Sequence, residues 1–129
     1  INNGDEAVHL YQIWIMPREE NITPRHDERD FSDMLRNHLV PIASGFDHDA
    51  LQIHTDLVIY RGIFDAETSW THMAHAGTGN VFIYVTKGSV DLATGETLEA
   101  GDQARISEVE MLELNFSVGA DVVVIDVVN

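Results

Sequence analysis

Cysteine is absent from the 129-residue chain. That one absence removes disulfides, thiolate metal ligands and cysteine nucleophiles together. It suits a reducing compartment, and a cytoplasmic location is the expectation. Basic residues are scarce: seven Lys and Arg stand against 22 Asp and Glu, for a formal net charge of −15. Such a surface repels phosphate backbones, so no direct nucleic-acid partner is expected. Its plainest effect is solubility. No apolar run reaches the roughly 18 residues that a membrane-spanning helix needs, so no membrane partner is expected either. The polar opening Ile1-Asn2-Asn3-Gly4-Asp5-Glu6 lacks the basic region of a secretory signal, and a start at Ile1 suggests a trimmed or processed chain. Gly-x-Ser-x-Gly, phosphate-loop and dinucleotide fingerprints are missing too.

What is present is a succession of short β-rich runs cut by turn residues. A length of 129 residues fits one domain with its own core. Val8–Met16 is apolar and aromatic, stops at Pro17, and reads as a strand; the charged stretch Arg18–Asp30 reads as a loop or arm. Ser32–His38 reads as one or two helical turns with Ser32 as N-cap. Strands are expected at Leu39–Ala43, Leu51–His54, Leu57–Phe64, Trp70–Ala74, Val81–Thr86, Ser89–Leu92, Ala104–Ser107, Met111–Phe116 and Val122–Val128. Lys87-Gly88 makes a compact hairpin, with further turns at Thr94-Gly95 and Ala100-Gly101-Asp102. Turn signals roughly 8–12 residues apart indicate an all-β sandwich or barrel.

Alternation assigns faces. Leu112, Leu114 and Phe116 share one side of their strand and Glu113 and Asn115 the other. Val81, Ile83 and Val85 oppose Phe82 and Tyr84, so both sides of that strand are apolar and both should be covered. The cations are skewed: Arg18, Arg25, Arg29, Arg36 and Arg61 lie in the first half, and only Lys87 and Arg105 in the second. An acidic partner facing the first half is one reading of that skew.

The run His9-Leu10-Tyr11-Gln12-Ile13-Trp14-Ile15-Met16-Pro17, followed by Ile22-Thr23-Pro24-Arg25, resembles the inter-barrel segment of the pirin family and of bacterial pirin-like quercetin 2,3-dioxygenases. Ile53–Arg61 and Val85-Thr86-Lys87-Gly88-Ser89-Val90 resemble the C-terminal barrel of the same group. The resemblance implies an all-β, cupin-type antiparallel barrel (a double-stranded β-helix, or jelly roll). Residues 1–30 would form an inter-barrel strand and arm, and residues 31–129 the C-terminal cupin barrel. It also implies a partner, the N-terminal cupin barrel of a two-barrel parent, carrying a divalent transition metal (Fe, Mn, Ni or Cu). Self-association through Leu10–Met16 is a further expected contact, because this segment is unusually apolar.

Cupins that bind a metal supply a His-x-His pair and a Glu from a first hairpin, and a further His from a second. Counting back from Gly88, the Glu position falls on Val81, and the His pair on His75 and Gly77 or on Ala74 and Ala76. The second His falls on Ala104. At most one ligand survives, so neither metal nor cofactor is expected in this chain and no catalytic residue is assigned. His72 and His75 are three apart, a spacing that sends strand residues to opposite faces. A pocket surviving inside the barrel would be lined by His54, Tyr60 and His75. Ala76-Gly77-Thr78-Gly79-Asn80 joins two strands and opens no helix, which argues against a phosphate cradle. Three readings follow: a degenerate, metal-free barrel with a structural and docking role; one part of a quercetin 2,3-dioxygenase whose metal lies in the N-terminal barrel; or a pirin-like protein-binding module acting as a transcription cofactor.

Overall fold

The computed structural model describes residues 2–75 and 79–128. Ten strands form two sheets, and no helix occurs among the described residues; hence none is long and apolar enough to cross a membrane. The strands are β1 (Val40–Ser44), β2 (Leu51–Gln52), β3 (Leu57–Phe64), β4 (Thr68–Met73), β5 (Gly79–Lys87), β6 (Ser89–Leu92), β7 (Thr97–Glu99), β8 (Gln103–Val109), β9 (Met111–Phe116) and β10 (Ala120–Val128). The six-stranded sheet runs β2-β1-β3-β10-β5-β8 and the four-stranded sheet β4-β9-β6-β7. All ladders are antiparallel except β1 with β2. The all-β cupin expectation is met, with one qualification: no ladder joins the two sheets among the described residues. Glu108 (φ 54°) lies in a register shift near the end of β8, after which the chain crosses to the other sheet at β9.

Alternation places the core. On β5, Val81, Ile83 and Val85 are wholly buried, whereas Phe82 and Tyr84 on the other face are only half covered. On β10, Val122, Val124 and Asp126 point the same way, because cross-strand partners share a face and these oppose Val85, Ile83 and Val81. From the facing sheet, Leu92, Leu114 and Phe116 close the core. Phe64 of β3 stacks on Phe116 of β9 with ring centroids 4.0 Å apart, an apolar tie between the sheets. Gly88 turns the β5–β6 hairpin at φ 71°, and a Cβ there would come within 2.7 Å of Ala120 Cα.

Two local expectations are corrected. Ser32–His38 forms no helix. Asp30 Oδ1 takes both the amide and the hydroxyl of Ser32, so Ser32 is capped instead of capping. Asn37 then enters a left-handed conformation, and Arg36 bridges to Ile63. Buried Phe31 and Leu35 anchor the segment as turns. Asp65 fastens its far end: the hydrogen bond from Asn37, then Arg36, holds this carboxyl below its usual range.

Val8–Met16 is extended but forms no ladder among the described residues. β-propensity without a neighbouring strand is not enough to make a sheet. Tyr11 meets Tyr84 edge-on at 5.6 Å, while Leu10, Trp14 and Met16 are exposed at 74%, 87% and 85%. The following arm explains the basic skew. Arg18, Arg25 and Arg29 donate to the carbonyls of Gly45, Gln52 and Asp49, stapling the arm to β2 and to the loop that joins it to β1.

Candidate functional site

The polar atoms inside the sandwich converge on Asp126. It interrupts the apolar run of β10 at an inward position and is wholly buried. His72, inward on the edge strand β4 and 5% exposed, reaches across from the other sheet, Nε2 to Asp126 Oδ2 at 3.1 Å. The His75 amide donates to the same oxygen at 2.8 Å. Oδ1 has no hydrogen-bond partner among the described residues. Burying a carboxylate oxygen without a donor is costly, so this atom marks a place where polarity is retained against the grain of the core.

Tyr60 of β3 completes the group. Its ring meets His72 edge-on at 4.9 Å, and burial, followed by the charges of Asp126 and Asp47, pushes its phenol up to about 12. At the rim, Phe46 stacks on the His75 ring at 4.5 Å. Of the three residues expected to line a pocket, Tyr60 and His75 meet around Asp126, His75 through its backbone amide. His54 lies instead in an exposed cleft beside Arg18, Thr23 and Gly45. Phe46 and Asp126 went unread. Asp126 had a usable signal, since it shares parity with Val122 and Val124 and is the one charged residue in that inward row.

Of the expected ligand positions that are described, Ala74, Val81 and Ala104 are apolar, and the His75 ring is stacked on Phe46. Val81 is wholly buried, directly opposite Asp126 in the β5–β10 register. Ala104 opposes Ile83 on β8. Ala76 and Gly77 lie outside the described residues. No group of three or more His, Asp or Glu side chains suited to a metal occurs among the described residues. The carboxylate thus stands one strand away from the Glu position and is engaged with His72. Chemically the cluster can hold or relay a proton between imidazole and carboxylate; a cupin metal does not fit these residues.

Residues 42–127 match the family described as the quercetinase C-terminal cupin domain. The chain belongs to this family. The cupin domain is 34% identical over 110 residues to a quercetin 2,3-dioxygenase of Escherichia coli K12, covering 81% of this chain and 47% of that protein. It is 31% identical over 124 residues to the quercetin 2,3-dioxygenase of Escherichia coli O157:H7, covering 96% and 52%. Among solved structures it resembles the bacterial pirin YhhW of Escherichia coli in complex with nickel(II), with a TM-score of 0.77 and 26% identity over 88% of this chain and 48% of that one. The domain therefore spans about half the length of these relatives. The resemblance carried by His9–Pro17, Ile53–Arg61 and Val85–Val90 is thereby borne out at the level of family.

Proposed function

We propose that this cupin domain is a metal-free, non-catalytic barrel that serves as the structural and docking half of a two-barrel protein. The observation that carries the reading is Val81: the position expected to supply a carboxylate ligand holds a wholly buried valine packed in the core. Ala104, at the expected imidazole position, supports it. A metal that activates a bound substrate needs several convergent protein ligands with coordination positions left open. Among the described residues the interior offers a single imidazole–carboxylate pair, His72 with Asp126. The docking half of the reading rests on the arm. Leu10, Trp14 and Met16 present an apolar, ladder-free extended edge of the kind that seeks a sheet. The upstream barrel is the partner that covers it, and self-association replaces that contact when the partner is absent.

A second reading concerns the parent and is favoured by the relatives' names. Joined to an upstream half, the domain belongs to a quercetin 2,3-dioxygenase whose metal lies in that half, nickel(II) being the ion in the YhhW complex. Three samples tested together for quercetin cleavage test both readings: this chain, the chain extended by the upstream half, and the extended form with its upstream His ligands replaced. Turnover in the second sample alone supports both readings. Turnover by the first, or undiminished turnover by the third, refutes the placement of the chemistry upstream.

A further inference from the structure

The N-terminal arm lies across the outer face of the six-stranded sheet without closing on it. On that face β3 and β10 present Ile59, Arg61, Asp121 and Val123, which alternate with the core residues Val58, Val122 and Val124. Lys87 joins them because of a register shift between β5 and β10. Its parity is that of the inward Val85, but the shift sets it opposite Asp121 and turns it outward. From the arm, Tyr11 and Ile13 face this row, and Tyr11 rests edge-on against Tyr84. Between arm and sheet stands a cavity of about 570 Å³. That volume falls within the ~300–1,000 Å³ typical of small-molecule sites, which are mostly apolar with a few placed polar groups.

We propose that this cavity binds a small monocarboxylate with a compact apolar body. The floor sets the body: Ile42, Ile59 and Val123 offer apolar area for it to cover. The charges set the head. Arg61 gives Nε and Nη2 to the two oxygens of Asp121 at 3.2 and 3.0 Å, so that pair neutralises itself. Asp121 is the one acidic residue among the described residues that line the cavity. Lys87, on the other side of Asp121, makes no ion pair among the described residues. One ammonium therefore stands uncompensated beside an apolar floor, in a chain of net charge −15. The distant carboxylates are screened beyond about 8 Å at physiological ionic strength, so the local excess decides the sign of the ligand. A single ammonium suits a monoanion. A dianionic phosphate needs further donors, and Arg61 and the Thr86 hydroxyl are already engaged with Asp121. The site uses the sheet-facing side of the arm, whereas docking of the upstream half uses the opposite side, at Leu10, Trp14 and Met16. It draws on no residue inside the sandwich, so it does not rest on the metal-free reading.

The test uses hexanoate, its neutral counterpart hexanamide, and acetate, which has the charge without the body. Methyl signals of Ile42, Ile59 and Val123 are followed by NMR through each titration. Hexanoate is expected to give saturable shifts at all three, with hexanamide and acetate each binding about threefold or more weakly. Lys87→Gln should bring hexanoate down to the affinity of hexanamide, whereas Lys87→Arg should keep the preference. Lys87 is exposed, so neither change disturbs the core. Tyr11→Ala frees the arm from Tyr84 and should weaken hexanoate and hexanamide alike. An absence of saturable shifts through the millimolar range overturns the proposal, as do shifts centred elsewhere. Equal affinity for hexanoate and hexanamide, or a preference that survives Lys87→Gln, overturns it as well. So does loss of hexanoate binding when the upstream half is attached, which would show that half filling the cavity.

Discussion

Asp126→Ala removes the acceptor that ties edge strand β4 to the centre of the six-stranded sheet. Two donors lose their partner, the His72 Nε2–H and the His75 amide, now at 3.1 and 2.8 Å from Oδ2. A stranded buried donor costs about 1–3 kcal/mol. His72 is 5% exposed and bears the full penalty, whereas His75 lies at the rim and recovers part of it from water. The sum comes to about 2–4 kcal/mol, a large share of the ~5–15 kcal/mol stability usual for a domain. Asp126→Asn keeps one carbonyl oxygen for both donors and should lose less. The double replacement His72→Leu with Asp126→Val removes the imidazole donor and its acceptor together, leaving only the His75 amide at the rim without its partner, and should cost well under the sum of the two single changes. Urea unfolding monitored by Trp fluorescence measures all of these. An Asp126→Ala loss below about 1 kcal/mol, or additivity in the double replacement, would show that the pair does not couple the sheets.

Two more outcomes follow from the same structure. Phe116→Ala should cost about 3–5 kcal/mol in the same denaturation, because it empties half of a wholly buried stack with Phe64. Tyr60 ionises less readily folded than unfolded, its phenol standing near 12 against an ordinary 10.0. Its contribution to stability is therefore complete below about pH 10 and is lost as the pH rises towards 12. Solvent at the half-exposed ring keeps this to roughly 1 kcal/mol or less. Phenolate absorbance should show a last-titrating tyrosine that disappears in Tyr60→Phe.

The long apolar alternations were the legible part of the fold. β3, β6 and β9 have the bounds read from the sequence, since each is framed by turn residues and backed by a buried face. β7 was missed because three residues with a single buried Leu98 carry no periodic signal. Val8–Met16 was misread as a strand because propensity says nothing about whether a partner strand is present. At the candidate site, parity could not place His75: β4 ends at Met73, so alternation no longer governs His75, which reaches Asp126 with its amide while its ring stacks on Phe46. The pairing of His72 with Asp126 joins residues 54 positions apart. Only the packing of one sheet on the other brings them together.

The central claim, that the cupin scaffold persists here without its metal, is tested most directly by elemental analysis of the untagged chain after mild chelation. With Val81 and Ala104 at the ligand positions, the account predicts well under one equivalent of transition metal per chain. One tightly held equivalent, lost on His75→Ala, would contradict it.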